Sequence, residues 1–449
     1  MNPKQLKPST SPARRAAFEV LRRVETERAY ASVLIASLPD ADLSREDRAL
    51  AQEIALGVLR WQLSLDYFIE RYAGRPVHRL DLPVVIALRM GFYQLRHLAR
   101  VPDSAAVNES VKLVKEFGAR SASGFVNAVL RKAARNPGEE AGQNIEDPVE
   151  RASVQISHPA WMVRRWATWF GEAEARALAL ANNAVPPLAF RVNTLRTTVD
   201  AALADLEARG STATPSGFVP GAFVVEKGAN AVVRAAEQGS VYVQDEASQL
   251  VSLLVDAQPG ERVLDLCAAP GSKASHIAAL TANRARIVAC DLHPHRLGSL
   301  IAACRRLGID SIDAVALNAT RELPFAKEAP RFDRVLIDAP CTGTGTLRRH
   351  PEIKWRLAPD DIPQLAEVQA SLLARAACFT RSGGRLVYST CSVEPEENEQ
   401  VIAHFLESAP FRVIQPAAPF EMITPDNFVR TFPHRHGTDG FFAAVLEKK

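Results

Sequence analysis

Two cysteines stand where a thiol can do chemistry. Cys391 ends the stretch LVYSTC and precedes SVEPEENEQ, and Cys341 lies fifty residues earlier in IDAPCTGTG. Each follows a short apolar run and enters a polar loop at once. A thiolate is a strong nucleophile, and a carboxylate, Asp338, sits just ahead of Cys341. A buried thiol is otherwise packing material, and that reading suits Cys290, Cys304 and Cys378. After Cys391, Pro395 fits the first turn of a helix and Glu396 and Glu397 fit its positive end. That helix end favours a thiolate and nearby carboxylates oppose it; the residues leave the balance open.

A second constellation precedes the thiols. VLDLCAAPGSKASHIAAL, Val263 to Leu280, reads as a strand, a turn (Cys267, Ala268, Ala269, Pro270, Gly271, Ser272, Lys273) and a helix. A glycine turn at a helix N-terminus admits close backbone approach and favours negative charge. The turn is neither GxGxxG nor a Walker loop. Asp291, twenty residues after Gly271, is placed to accept hydrogen bonds from ribose hydroxyls, or to cap the following helix. Asn318 in ALNATR can meet an adenine edge or cap its own turn. The set fits an adenosine cofactor without a pyrophosphate, and S-adenosylmethionine fits best.

A thiolate beside a sulfonium methyl donor suits one reaction. Carbon 5 of a pyrimidine is a poor nucleophile. Addition of a thiolate to carbon 6 makes carbon 5 enamine-like and able to attack the methyl group. Asp338 can hydrogen-bond the N3/N4 edge of the base, and the second thiol can assist release. Methylation of an exocyclic amine needs no cysteine and goes with an Asn/Asp-Pro-Pro-Tyr loop, where this chain has DAPC. Spacing alone ranks neither Cys391 nor Cys341 as the nucleophile.

These residues need a scaffold that brings strand ends together. From about Gln244 onward, five apolar runs alternate with helical stretches: Arg262–Leu266, Arg286–Cys290, Asp313–Leu317, Arg334–Ile337 and Arg385–Ser389. That alternation predicts a parallel α/β sheet covered by helices, with ligands at the C-terminal strand ends. Residues 241–449 form this Rossmann-like domain. Residues 151–240 read as a small α+β unit, with a helix over Trp161–Leu180, a strand in LAFRVN and another in GAFVVEKG. Residues 137–150, rich in Pro, Gly and acids, read as a linker. Residues 1–136 carry apolar positions at helical spacing (Ala17, Val20, Leu21, Val24; Ile54, Val58, Leu59) and read as an all-α bundle of about six helices.

Composition bounds the rest. The chain has 449 residues and is 47% hydrophobic and 23% charged, as globular proteins are. Apolar runs are too short to span a bilayer, and the N-terminus lacks the apolar segment of a secretory signal, so the expected compartment is the cytoplasm. Six cysteines without CxxC spacing argue against a zinc site or a disulfide scaffold. The net charge of +3 divides into +8 for residues 1–136 and −5 for the remainder. A basic half suits a polyanion such as nucleic acid, or is a solvated helical surface. Arg348, Arg349, His350 and Lys354, shortly after Cys341, can meet RNA phosphates or form a solvated basic loop.

DLCAAPGSK, DAPCTGTGTLRRHPEIKW and YSTCSVEPEENE together resemble the NOL1/NOP2/Sun group of RNA cytosine-5 methyltransferases. FRVNTLR (Phe190–Arg196) is similar to the stretch ahead of that group's catalytic domain. VPDSAAVNESVKLVKEFG and GFVNAVLRK resemble NusB-like RNA-binding domains. The combination is the architecture of the Fmu/Sun-type bacterial 16S rRNA methyltransferases. The resemblance implies that Cys391 is the nucleophile and that Cys341 helps release product. It implies that residues 267–273, Asp291, Asn318 and Asp338 line the S-adenosylmethionine site. The group usually has Asp where this chain has Asn318. The implied partner is 16S rRNA before full subunit assembly, acted on by a monomer with no metal and no membrane. Another RNA as substrate, or a non-catalytic assembly factor, are the alternatives.

Overall fold

The computed structural model describes residues 10–39, 43–321 and 331–449. It divides into two compact units. The first comprises Met1–Ala184 and Leu347–Arg356, the second Val185–Thr346 and Leu357–Lys449.

The first unit is helical. Its helices span Pro12–Glu27, Ala31–Ala36, Arg45–Ala73, Leu82–His97, Asp103–Glu116 and Ser123–Ala134. The helical spacing read from the sequence marks the buried faces: Ala17, Val20, Leu21 and Val24 meet Ile54, Val58, Leu59 and Phe92 in one core. Ser44 caps the longest helix through the Asp47 amide, and Glu46 and Asp47 fill its first turn. The polar stretch after Asn136 is packed rather than free. Glu139 pairs with Arg71 and accepts from Tyr72. A helix then starts at Pro148, capped by Asp147. The stretch expected as one helix over Trp161–Leu180 is two, Ala160–Phe170 and Glu172–Asn182, broken at Gly171. The compact helical unit thus takes in helices that composition assigned to the mixed region.

The second unit holds two sheets. The smaller has strands β1 (Ala189–Val192), β2 (Thr212–Pro215), β3 (Ala222–Lys227) and β4 (Val241–Val243) in the order β2-β3-β1-β4. Two helices, Val199–Ala208 and Ala229–Gln238, contribute Ala202, Leu206, Val232 and Ala235 to its core. The FRVN stretch ties this sheet to the rest of the unit. Arg191, buried, donates to Gln244 and to Ser275, and Asn193 Nδ2 donates to the carbonyls of Gly239 and Leu307.

The larger sheet comprises β5 (Arg262–Asp265), β6 (Arg286–Asp291), β7 (Ile312–Ala316), β8 (Phe332–Asp338), β9 (Thr380–Thr390), β10 (Phe411–Val413), β11 (Val429–Arg430) and β12 (Phe442–Lys448). Its order is β10-β12-β9-β8-β5-β6-β7, with β11 paired to β12. The five expected strands run parallel through β7, β6, β5, β8 and β9. Val263, Leu264, Ile287, Val335 and Leu336 are buried on both faces, which is why these strands read as unbroken apolar runs. The sheet is mixed rather than wholly parallel: β12 pairs antiparallel with β9 and β10. Strand order reverses between β5 and β8, so the crevice at their C-terminal ends is the place for a ligand.

Candidate active site

The two thiols emerge from adjacent strands. β8 and β9 pair in parallel with Asp338 opposite Ser389, and both chains then turn into loops. Cys341 and Cys391, each half-buried, bring their sulfurs to 3.3 Å. The bond to Cys391, burial and the charge of Glu397 hold the Cys341 thiol well above the ordinary cysteine range. Either sulfur can donate in this contact. Gly345 locks the loops together. Its amide donates to the Cys391 carbonyl at 2.9 Å and its carbonyl accepts from Gly440 at 2.8 Å. A Cβ at Gly345 would lie 1.9 Å from the Gly440 carbonyl oxygen, so only glycine fits in TGTG.

The expected helix after Cys391 starts later than the sequence suggests. Pro395–Glu397 is a single 3-10 turn and the α-helix begins at Glu399. Cys391 is therefore not at a helix N-terminus. Glu397 is fully buried and not a solvated first-turn acid.

The cofactor-type residues gather at the ends of β5, β6 and β8. Residues 267–271 turn directly into the helix Ser272–Leu280, with Gly271 at φ 103°. Lys273, buried, reaches across to Asp338, Nζ to Oδ2 2.6 Å. Ser389 Oγ donates to the other oxygen at 3.0 Å. Both Asp338 oxygens thus face donors, so the group serves as an acceptor. Asp291 Oδ1 accepts from the His293 amide at 2.9 Å. Its Oδ2 accepts from the Ala269 amide at 3.3 Å and pairs with Arg296 at 3.3 Å. Arg296 also donates to the Ala269 carbonyl. Asn318 Oδ1 accepts from the amide and hydroxyl of Thr320 at 3.0 and 2.7 Å, capping its own turn.

Asp265 is not a candidate by sequence, although it lies in the same motif. Its side chain is fully buried, Oδ1 accepts only a long bond from the Cys267 amide (3.4 Å), and Oδ2 has no partner. Burial, then the Asp338 charge, pushes its carboxyl up to about 7. An orphaned buried acceptor among Lys273, Asp338 and the 267–271 turn suits a ligand that carries hydrogen-bond donors, as the ammonium and ribose hydroxyls of S-adenosylmethionine do. The residues present fit that cofactor. Burial also drives the Cys267 thiol well up, and that of Cys290 up to about 12; both are thiols, not nucleophiles. Cys290 and Cys304 are core residues as expected, but Cys378 is exposed.

The basic residues after Cys341 behave differently from expectation. Leu347–Arg356 belongs to the helical unit. Lys354 is 1% exposed. Its ammonium donates to the carbonyls of Arg60 (2.8 Å) and Ser157 (2.9 Å) and to Asn183 Oδ1 (3.0 Å). All three protons are used inside the protein, so Lys354 is not the phosphate contact the sequence suggests. Arg348 is buried, and its carbonyl accepts from Arg60. His350 lies edge-on to Tyr30. Arg349 remains half-buried. Among the described residues, no cluster of His, Cys, Asp or Glu is placed to hold a metal ion. Among them, too, no helix is long and apolar enough to cross a membrane.

Comparison with known proteins agrees with this fold. The family described as 16S rRNA methyltransferase RsmB/F matches residues 252–447. The NusB family matches residues 11–135, and the ferredoxin-like domain of RsmF/B-like methyltransferases matches residues 158–232. The chain is 36% identical over 442 residues to the "Probable ribosomal RNA small subunit methyltransferase B" of Bacillus subtilis, covering 96% of this chain and 98% of that one. It is 37% identical to ribosomal RNA small subunit methyltransferase B of Pseudomonas putida, covering 95% and 98%. Among solved structures, PH0851 superposes with a TM-score of 0.83 at 30% identity, covering 98% of this chain and 99% of that one. A methyltransferase homologue from Pyrococcus horikoshii superposes with a TM-score of 0.60 at 29% identity, covering 68% and 100%. The three matched regions lie in one chain with relatives of nearly the same length: the chain belongs to the RsmB/F family of 16S rRNA methyltransferases.

Proposed function

We propose that this rRNA methyltransferase acts on carbon 5 of a cytosine in 16S rRNA, through a covalent bond between Cys391 and carbon 6. The observation that carries the reading is the pair of sulfurs 3.3 Å apart at the ends of adjacent strands. An amine methyltransferase would have no use for them. S-adenosylmethionine, held by residues 267–273, Asp291, Asn318 and Asp338, supplies the electrophilic methyl group when bound.

Cys391, as thiolate, bonds to carbon 6, and the displaced π pair makes carbon 5 nucleophilic. Carbon 5 then forms the new carbon–carbon bond. In the second half the carbon 5 proton and the Cys391 sulfur must both leave. Cys341 gives its proton to the departing sulfur and recovers one from carbon 5, so the ring loses one proton and regains its double bond. Asp338, an acceptor between Lys273 and Ser389, takes the hydrogen bond of the cytosine amino group. Reaching carbon 6 requires the base to be unstacked or single-stranded.

Tritiated methyl transfer to naked 16S rRNA tests the reading. Cys391→Ala should transfer nothing. Cys341→Ala should accumulate a protein–RNA adduct that survives denaturant as a retarded band. Full transfer by Cys391→Ala would refute the covalent route, and an adduct trapped by Cys391→Ala instead would reverse the two roles.

A further inference from the structure

Behind the two catalytic loops lies a carboxylate that the reaction itself does not use. Glu397 sits six residues after Cys391, with no exposed surface. Its Oε1 accepts from the Thr342 amide at 2.9 Å and from Gln369 Nε2 at 3.0 Å. Its Oε2 accepts from the Thr342 hydroxyl at 2.5 Å and from the Ser392 hydroxyl. Thr342 is the residue after Cys341, and Ser392 is the residue after Cys391. Gln369 spends its other amide proton on the carbonyl of Pro340, the residue before Cys341, at 2.9 Å. Tyr388, below on β9, donates to the Glu397 carbonyl at 2.5 Å.

One buried group therefore holds the neighbours of both thiols from behind. We propose that Glu397 is a positioning residue that sets the separation of Cys341 and Cys391. Around it the hydroxyls of Thr342 and Thr344 lie 3.1 and 3.2 Å from that of Ser392. Thr344 also accepts from the Val393 amide at 3.1 Å. Asn398 pins the Cys391 loop by donating to the Ser392 carbonyl at 2.9 Å and accepting from Thr390 at 2.5 Å.

A buried acid is costly unless its oxygens are satisfied. Here four donors converge on it, and burial still pushes its carboxyl upward. Core stability alone would be served better by an apolar side chain of similar volume. The carboxylate differs from such a residue in one respect: it fixes two separate loops at one point with directional, charge-assisted bonds. The inference rests on the two-thiol reaction proposed above, since only a reaction that uses both sulfurs needs their spacing held.

Glu397→Gln keeps the shape and replaces one acceptor oxygen with a donor nitrogen. Single-turnover methylation and saturation kinetics should show kcat lowered about 10- to 100-fold, with KM for RNA and cofactor affinity unchanged. Combining it with Ser392→Ala should cost little more than either alone, because both break the same clamp. A kcat within twofold of wild type overturns the proposal, and so does a parallel loss in kcat and KM. Should Glu397→Gln not fold, Thr342→Val removes one hydroxyl from the clamp and should lower kcat several-fold; wild-type kcat there overturns it equally. The underlying reaction is judged separately. If wild type methylates without any Cys391 adduct, that reading falls whatever Glu397 does. If the adduct forms and Glu397→Gln is fully active, only the clamp falls.

Discussion

At the end of β5, Asp265 carries a carboxyl oxygen with no partner in a site otherwise closed by hydrogen bonds. Its carboxyl is raised from 3.8 to about 7 by burial first and by Asp338 second. The folded state therefore favours the protonated form. Its contribution to stability is complete below about pH 4 and is lost as pH rises through about 7. In thermal unfolding without cofactor, Asp265→Asn should gain on wild type between pH 5 and 8, with a ceiling of about 4 kcal/mol. A constant difference over that range would mean that Asp265 is already ionised at pH 5. The thiols and the Cys267–Lys273 turn are legible because their residue types are rare and their flanks characteristic. Asp265 lies in the same motif but looks like an ordinary strand residue. Only its burial, and the absence of a donor beside Oδ2, set it apart. Glu397, from its place after Pro395, reads as a helix-start acid. Its four partners come from residues 342, 369 and 392, and no local pattern announces them.

Leu347–Arg356 is the element whose structure departs furthest from its sequence reading. RRHPEIKW looks like a basic loop for phosphates, yet its side chains serve the helical unit. Lys354 fills a site made by Arg60, Ser157 and Asn183. Trp355 Nε1 donates to the Leu59 carbonyl. Arg356 closes the end of the first helix through the carbonyls of Val24, Arg28 and Ala29. Lys354→Ala should leave three acceptors unsatisfied and cost about 3 kcal/mol of stability. The slope of RNA affinity against salt should stay as in wild type. A slope shallower by the equivalent of one phosphate, with an unchanged melting temperature, would restore the phosphate reading. Strands are legible where both faces are buried. β12 escapes the alternating pattern because the helix before it, Pro433–His436, is a single turn, and because it joins the sheet by antiparallel pairing with β9, a partner more than fifty residues back.

For the whole molecule, the basic first half divides into cations used internally and cations left at the surface. Arg89 is buried against Asp66 and Glu25, and Arg60 is buried as well. Arg120, Arg131 and Arg135 are exposed and can meet a polyanion. Replacing these three with Gln should flatten the salt dependence of rRNA binding by about 0.7 for each phosphate no longer neutralised, while leaving kcat at saturating RNA near wild type. An unchanged slope would remove this surface from RNA binding. Deleting residues 1–136 is a poorer test. It would strip the carbonyls of Val24, Leu59 and Arg60 from the Leu347–Arg356 segment, and misfolding would be confused with weakened binding.

The helical N-terminal region, the alternating α/β C-terminal region, the two thiols and the Cys267–Lys273 turn are legible in the chain alone. Each of these is a local matter of period, residue type and flanking turn. Tertiary structure decided the rest: the 3.3 Å approach of the sulfurs, the buried lysine outside the reaction, the orphaned Asp265 oxygen and the carboxylate that grips both loops. These depend on which strand ends become neighbours and on which polar groups burial leaves to pair. The two thiols are 50 positions apart and Lys354 and Arg60 are 294, distances over which no local pattern carries information.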